Sequence, residues 1–342
     1  MNNNRSVPPQ RRPKKVRRGS YTSNFTIVCF LVIAVLVFVN VKLFSSVITG
    51  NPDTVSVMNR DNDPQAIELA QKQEAIKRDL KTNFTQITVS ADDTKCGNLI
   101  LVNNDTAFSF DASPKAVQKE ELVSFSGRQS DSYTVSYPAR ETLTPTALTS
   151  FNALADAFRD EKGHTDLFIL DSYRSYEDQD RVYQSKGSEI AQAPGHSEHH
   201  TGLAFDLELY IGGKTVDFDG TGDYIWVSQN CHRFGYILRY PEDKIDYTQI
   251  SYEPWHFRYV GKEHAYYMYT NNLCLEEYIH TLSRYTADGE RLIFETDEGE
   301  KYMIYSQSVS GDSASVYVPK THEYTLSGDN NGRVIVSCKI SE

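Results

Sequence analysis

The stretch Ser197-Glu-His-His-Thr-Gly-Leu-Ala-Phe-Asp206 and the shorter stretch Glu253-Pro-Trp-His256 together indicate a metal-binding fold. They supply two imidazoles and one carboxylate, from His199, His256 and Asp206, and the carboxylate of Glu253 is left over. A catalytic zinc ion takes three protein ligands of this kind and keeps its fourth position for water. The metal lowers the pKa of that water, and a neighbouring carboxylate can then act as general base. The sequence therefore predicts a zinc hydrolase whose metal is held by His199, Asp206 and His256.

The residues between the first two ligands predict how they come together. Gly202 permits a tight backbone turn after His199, and the alternation over residues 203–209 is typical of a β-strand. In such a strand the large apolar side chains share one face, whereas Ala204 and Asp206 share the other. Because Ala204 is small, that second face leaves room for an ion beside Asp206.

The pattern S-x-H-x-x-G-x-A-x-D followed by E-x-W-H resembles that of the VanY-type D-alanyl-D-alanine carboxypeptidases and of their relatives, the LdcB L,D-carboxypeptidases. The resemblance covers residues 96–284 and includes three further stretches, Tyr173–Gln179, Asn230–Pro241 and Trp255–Gly261. The family pattern selects His199 as a ligand in preference to its neighbours His196 and His200. It implies an α+β zinc domain in which helices pack on an antiparallel sheet, as in the Hedgehog and DD-peptidase folds.

The same resemblance assigns roles to four further residues. It implies that Glu253 is the catalytic base and that Arg174 stabilises the oxyanion at the scissile carbonyl, a contribution that can be worth about 3 kcal/mol. The structural alternative for Arg174 is a salt bridge to Asp171. Ser197 and Gln179 resemble residues that contact the substrate, although a turn serine and an exposed helix glutamine would look the same in sequence.

The N-terminal segment differs from the rest of the chain. Residues 1–20 contain seven basic residues and no acidic one, and an apolar run follows from Phe25 to Phe44. A helix of that length reaches about 30 Å, enough to cross a bilayer core. The basic cluster predicts that the N-terminus stays in the cytoplasm and the catalytic domain lies outside it. The alternative is a cleavable signal peptide built on Ile27–Val39, but no A-x-A-like cleavage site follows, which favours a retained single-span transmembrane anchor.

Charge limits the class of partner. The chain carries a net charge of −11 and residues 1–45 contribute +8, so residues 46–342 carry −19. An acidic domain of this kind argues against nucleic acid or anionic lipid as its partner. It is compatible with a small peptide, and the resemblance implies the stem peptides of peptidoglycan.

The remaining patterns predict the domain organisation. Asp63-Pro64 is typical of a helix start, and the helix to residue 81 has a thin apolar face that favours a stalk over a segment packed on the catalytic domain. Leu99–Asn103 is expected to be the first strand of that domain, and short alternating strands after Ala287 predict a small β module. The predicted division is a basic cytoplasmic tail (1–24), a transmembrane anchor (25–44), a linker or stalk (45–95), the zinc carboxypeptidase domain (96–284) and a β-rich accessory module (285–342).

Four cysteines lie outside the predicted membrane segment, where disulfides can persist. Pairing of Cys231 with Cys274 and of Cys96 with Cys338 is plausible, but nothing in the local sequence dictates either bridge. None of the four has the C-x-x-C spacing of a zinc site, so thiolate ligands are not expected.

Three functions are compatible with these residues. The leading one is a zinc-dependent D-alanyl-D-alanine carboxypeptidase that removes the terminal D-Ala of a stem peptide. L,D-carboxypeptidase action on tetrapeptide stems needs the same zinc, base and arginine, so the motifs do not separate the two. A non-catalytic wall-binding protein is the third, and the presence of all three ligands with Glu253 and Arg174 argues against it.

Overall fold

The computed structural model describes residues 64–112, 122–188 and 191–341. The chain divides into two units, Met1–Ile67 and Glu68–Glu342. Of the first unit, only residues 64–67 are described, and they belong to a helix. Within the described ranges no helix combines the length and the apolar character needed to cross a membrane. The predicted anchor, Phe25–Phe44, lies outside these ranges, as does the basic tail.

Helices and strands alternate through the first two thirds of the described chain, and strands alone follow. The helices are α1 (Pro64–Asn83), α2 (Pro145–Lys162), α3 (Tyr176–Lys186), α4 (Ile225–Asn230), α5 (Ile245–Thr248), α6 (Lys262–Thr270) and α7 (Leu275–Leu282). The strands are β1 (Phe84–Ser90), β2 (Val123–Ser124), β3 (Tyr133–Val135), β4 (Thr142–Leu143), β5 (Leu167–Asp171), β6 (Ala204–Ile211), β7 (Lys214–Asp217), β8 (Tyr236–Leu238), β9 (His256–Tyr259), β10 (Leu292–Glu295), β11 (Lys301–Ser308), β12 (Ser313–Pro319), β13 (Tyr324–Gly328) and β14 (Arg333–Lys339).

A six-stranded sheet forms the centre of the catalytic region. Its strand order is β3-β5-β6-β9-β8, and β7 also pairs with β6. Every pairing is antiparallel except that of β3 with β5. Asp206 in β6 is the register partner of His256 in β9 and of Asp171 in β5. The predicted α+β class with an antiparallel sheet is confirmed, and this sheet brings two of the predicted metal ligands side by side.

Helix α2 covers the inner face of the sheet. It begins as the sequence predicts, because the hydroxyl of Thr144 accepts a hydrogen bond from the Ala147 amide and Pro145 occupies the first turn. Phe151 is fully buried, and its ring lies 4.5 Å from that of Phe205, centroid to centroid. Truncating such a side chain to alanine costs about 3–5 kcal/mol. This core fixes β6 and so fixes which face Asp206 presents.

The predicted β module is present, and it includes a segment that the sequence assigned elsewhere. Strands β10, β11, β14 and β13 form a four-stranded antiparallel sheet. Strand β1 pairs with β12 along its whole length. The sequence assigned residues 84–95 to the linker, but they form a strand and a short 3-10 helix joined to the C-terminal strands. Leu80 at the end of α1 is buried in the same apolar cluster as Phe84 and Tyr305. The end of the helix therefore packs on the β module, which a free stalk would not do. The other predicted domain boundaries remain predictions.

Two further predictions are wrong or altered. Residues Leu99–Asn103 are not a strand: the segment is irregular, Leu99, Ile100 and Val102 are buried, and the Leu101 amide donates to the Asp329 carbonyl oxygen at 3.2 Å. Their backbone partners come from distant segments and include the Ser327 hydroxyl and the Arg258 guanidinium, which periodicity cannot predict. Cys231, Cys274 and Cys338 are buried free thiols, so neither plausible bridge forms.

Candidate metal centre and active site

His199 lies in a short 3-10 helix, Glu198–Thr201, which Ser197 and Gly202 cap at its two ends. At its start the Ser197 hydroxyl accepts a hydrogen bond from the His199 amide at 3.4 Å. At its end Gly202 has φ +67°, and a Cβ placed there would lie 2.4 Å from Cδ2 of Leu122. Only glycine meets both conditions without displacing a neighbour. The turn predicted from Gly202 is thereby present, and it delivers the chain from His199 directly into β6.

The three predicted ligands form one cluster. Their candidate ligand atoms all lie within 4.8 Å of one another. Nε2 of His199 lies 3.3 Å from Oδ2 of Asp206, and Nδ1 of His256 lies 2.7 Å from Oδ1 of the same carboxylate. Both imidazoles are buried. Two nitrogen donors and one oxygen donor, with the remaining position open to a cleft, suit a catalytic zinc ion.

The remaining nitrogen of each imidazole also has a neighbour. Nδ1 of His199 hydrogen-bonds to the carbonyl oxygen of Ser172, and Nε2 of His256 faces Oε2 of Glu198 at 3.6 Å. Ligating histidines usually place their second N–H on a carbonyl or carboxylate in this way. The hydrogen-bond partners of the two imidazoles thus fit a zinc site, as the ligands themselves do.

Electrostatics in the cluster favour a cation. Burial alone would raise the pKa of Asp206, but its interactions with His199 and His256 hold that pKa well below its ordinary value. Burial would lower the pKa of His256, and its hydrogen bonds to Asp206 and Glu198 instead raise it to about 9. Without a metal, a proton on His256 balances the carboxylates, and a metal ion competes with that proton for the same site.

Glu253 lies beside the cluster without belonging to it. Its amide donates to the Tyr240 carbonyl oxygen at 3.1 Å, which fixes the backbone immediately before the turn that begins at Pro254. Burial raises the pKa of its carboxyl to about 7, the neighbouring Asp206 acts in the same direction, and His256 and Arg174 oppose it. A carboxylate with a pKa near neutrality, at the edge of a metal cluster, has the properties that a general base needs.

Arg174 is positioned by three contacts. Its Nε donates to Asp171 at 2.7 Å, and its two terminal nitrogens donate to Gln179 at 3.0 Å and to Asp206 at 3.2 Å. The salt bridge to Asp171, which the sequence offered as an alternative to catalysis, is present. It leaves the end of the guanidinium at the metal cluster, so the structural contact and a role at the scissile carbonyl are compatible.

A cleft of about 140 Å³ opens over the cluster. All seven predicted site residues line it: the ligands His199, Asp206 and His256, with Glu253, Arg174, Ser197 and Gln179. Gln179 is buried rather than exposed, and its amide donates to the Gln192 carbonyl oxygen at 2.7 Å while its oxygen accepts from Arg174. These contacts hold Arg174 and the loop at residue 192. Helix periodicity alone does not predict that Gln179 is buried, because a polar residue in a helix is usually exposed.

Several residues in and near the cleft escape sequence reasoning. Trp255 lines the cleft and is 37% exposed. Tyr240 and Lys186 also line it. Glu198 is fully buried between two arginines. Its position between Ser197 and His199 was the one feature of the sequence that could have indicated a role for Glu198. An acidic residue in a predicted loop is usually interpreted as exposed, however.

The two histidines rejected as ligands have structural roles. The ring of His200 points away from the cluster, where Nε2 accepts from the Gly195 amide at 2.9 Å and Nδ1 contacts the Arg174 carbonyl oxygen at 2.8 Å. Nδ1 of His196 contacts the Asn103 carbonyl oxygen at 2.7 Å, and His196 is half-buried. The selection of His199 among three nearby histidines agrees with this geometry.

Comparison with known proteins places this arrangement in a family. The family model VanY, described as D-alanyl-D-alanine carboxypeptidase, matches residues 140–262. A D-alanyl-D-alanine carboxypeptidase of Enterococcus faecium is 30% identical over 302 residues, which are 88% of this chain and 90% of that protein. The chain belongs to the VanY family of D-alanyl-D-alanine carboxypeptidases.

Two other similarities bear on the catalytic region of this VanY-family protein. A D-alanyl-D-alanine carboxypeptidase of Enterococcus faecalis is 41% identical over 130 residues, 33% of this chain and 47% of that protein. The solved structure of the vancomycin-resistance D,D-dipeptidase VanXYg, in complex with a D-Ala-D-Ala phosphinate analogue, aligns with a TM-score of 0.65 and 26% identity over 75% of this chain and 99% of that one. The prediction of a zinc-dependent peptidase is confirmed by the family and by the assembled ligand set.

Proposed function

We propose that this protein is an anchored, extracytoplasmic D,D-carboxypeptidase that removes the terminal D-Ala from peptidoglycan stem peptides. The observation that carries the proposal is the convergence of the His199, Asp206 and His256 cluster, the carboxyl of Glu253 and the guanidinium of Arg174 on one cleft. The relative that matches most of the chain bears the name of this activity. Metal-dependent hydrolysis of a peptide bond can use these three functions together, namely a metal, a general base and a cation that stabilises the oxyanion.

The chemistry follows from what each residue can do. A bound zinc ion would polarise the scissile carbonyl and acidify a water molecule. Glu253, whose pKa is raised to about 7, can accept a proton from that water and return it to the departing amine of D-Ala. Arg174 presents its guanidinium to the oxygen on which negative charge develops, and its contacts with Asp171 and Gln179 keep it oriented before the reaction.

The cleft supports a carboxypeptidase in particular. Lys186 and Gln192 line the cleft together with the metal ligands, and Ser197 adds a hydroxyl. A site that desolvates a terminal carboxylate must pair it with donors, so a substrate with an amidated end would leave those donors unsatisfied. We therefore expect little cleavage of amidated stems or of internal peptide bonds.

The cellular location is also part of the proposal. The basic residues before Phe25–Phe44 favour an orientation with the N-terminus in the cytoplasm and the cleft on the wall side. Protease treatment of intact wall-stripped cells should cleave the β module, and complete protection would contradict an exterior domain.

Mass spectrometry of purified muropeptides tests the activity. The zinc-loaded full-length protein in detergent should release one D-Ala from a pentapeptide stem. Faster release from a tetrapeptide stem would favour the L,D-carboxypeptidase alternative, and faster cleavage of an internal bond would indicate an endopeptidase. Binding of both muropeptides without any cleavage would support the non-catalytic alternative.

A further inference from the structure

Glu198 is an acidic residue of the metal-binding motif with no part in the reaction described above. Its side chain is fully shielded from solvent. We propose that Glu198 is a positioning residue that accepts the Nε2–H of His256 and thereby directs Nδ1 of that imidazole toward the metal. The inference rests on the metal centre of the proposed function and deepens it.

The orientation of the His256 ring is the first observation. Nδ1 points at Asp206, 2.7 Å away, and so toward the other ligands. Nε2 points in the opposite direction, toward Oε2 of Glu198 at 3.6 Å. This separation exceeds the usual hydrogen-bond range, yet both atoms are buried and neither meets any other polar partner within the described residues. Each is therefore the only available partner of the other.

The position of the Glu198 carboxylate is the second observation. Its Oε1 accepts hydrogen bonds from Nε of Arg239 and Nη1 of Arg258, each at 2.8 Å. Because both guanidinium groups lie on Oε1, the second oxygen remains for His256. Two N–H donors from arginine side chains on one oxygen are the contacts that a carboxylate, which offers only acceptors, can receive.

The two arginines are themselves fixed. Arg239 makes a two-point contact with Glu276, at 2.9 and 2.6 Å. Arg258 donates to the carbonyl oxygens of Asn98 and Ile100 at 3.0 and 2.9 Å. Removing one member of such a buried network leaves an uncompensated charge. Because both arginines are held by these other contacts, they fix the position of the Glu198 carboxylate.

The chemistry of the acceptor gives the proposal its direction. An ionised carboxylate can only accept hydrogen bonds, so it requires a proton on Nε2 of His256 and leaves the lone pair on Nδ1 for the metal. For His199 the Ser172 carbonyl oxygen does the same from the other side, requiring the proton on Nδ1 and leaving Nε2. Two different acceptors thus select opposite nitrogens on the two histidines, and each selected nitrogen faces Asp206.

The substitution Glu198→Gln tests this directly. Both arginines only donate, so they should hold the amide oxygen of the glutamine and turn its NH₂ toward His256. Nε2 must then accept and Nδ1 must carry the proton, which opposes metal binding. When a metal-ligating histidine loses its hydrogen-bond partner, metal affinity typically falls by about 10–100-fold. Chelator competition with the full-length protein should show a loss of zinc affinity of about that size.

Glu276→Gln is the matched control, because it removes the same charge from the same network without touching His256. Its zinc affinity should stay within about threefold of the wild type, clearly below the loss of about 10–100-fold that follows when a metal-ligating histidine loses its hydrogen-bond partner. Equal losses in the two variants would overturn the proposal and show that only the stability of the network matters. Thermal unfolding of both metal-free variants reports whether each is folded.

Histidine ¹⁵N NMR of the zinc-loaded wild-type protein decides the point without any variant. We expect the proton of His256 on Nε2 and the metal-type shift on Nδ1, and the reverse assignment would overturn the proposal. This readout does not depend on turnover. A protein with the expected assignment that cleaves no muropeptide would contradict the proposed function and leave the role of Glu198 intact.

Discussion

Replacing Glu253 by glutamine should slow catalysis strongly and, at alkaline pH, stabilise the metal-free protein. Burial raises the pKa of this carboxyl from its ordinary 4.5 to about 7. The folded state therefore favours the protonated form: the associated stability is present below pH 4.5 and is lost as the pH rises through about 7. Each pKa unit corresponds to about 1.4 kcal/mol, so ionised Glu253 lowers the free energy of unfolding by about 3 kcal/mol at pH 8.

Glutamine has the shape of the protonated acid and does not ionise, so Glu253→Gln avoids this loss. Urea unfolding of the EDTA-treated proteins should show the variant more stable than the wild type by about 3 kcal/mol at pH 8, with little difference at pH 4.5. Glu242→Gln is the control, because Glu242 is exposed and its substitution should change neither value.

The zinc-loaded Glu253→Gln variant should retain its metal, because Glu253 is outside the ligand cluster. Its kcat should fall by about 10²–10⁴-fold, the usual contribution of a general base. Equal stability of variant and wild type at pH 8 would refute the burial argument. Near-normal kcat would remove Glu253 from the mechanism, whatever the stability result.

Three further predictions concern the metal, the oxyanion and the turn. His199→Ala should abolish stoichiometric zinc binding, measured by metal analysis, since one imidazole of a three-ligand site is lost. Arg174→Lys keeps the charge but not the fork that meets Asp171 and Gln179, so kcat should fall about 10²-fold with zinc retained; an unchanged kcat would contradict its role. Gly202→Ala places a Cβ 2.4 Å from the Leu122 side chain at φ +67°, and a loss of about 1–3 kcal/mol in urea unfolding is expected; an unaltered midpoint would contradict the strain.

Much of the fold and the site follows from short-range pattern. The cap-and-proline start of α2, the alternation of β6 and the turn at Gly202 are each set by a few neighbouring residues, and all three are present. The ligands His199 and Asp206 lie in one such local unit. Because the strand pleat decides which side chains share a face, the sequence alone predicted the side on which Asp206 meets a metal.

Contacts between distant segments could not be predicted in this way. The pairing of β1 with β12 joins residues more than two hundred positions apart, and no local signal distinguishes an edge strand from a linker. The segment Leu99–Asn103 is apolar as a strand would be, yet its backbone is satisfied by distant segments that include the side chain of Arg258. Apolar character reports burial, whereas strand formation also needs a partner strand.

The sequence by itself therefore determined the residue types of the site: the metal ligands, the candidate base and the arginine. Only the tertiary structure decided how they are held, since Glu198 and Arg239 meet across 41 residues and Gln179 is buried against Arg174. Ligand identity depends on the chemistry of single side chains, which a motif records directly. Their orientation depends on hydrogen-bond partners from several distant segments, and folding brings those segments together.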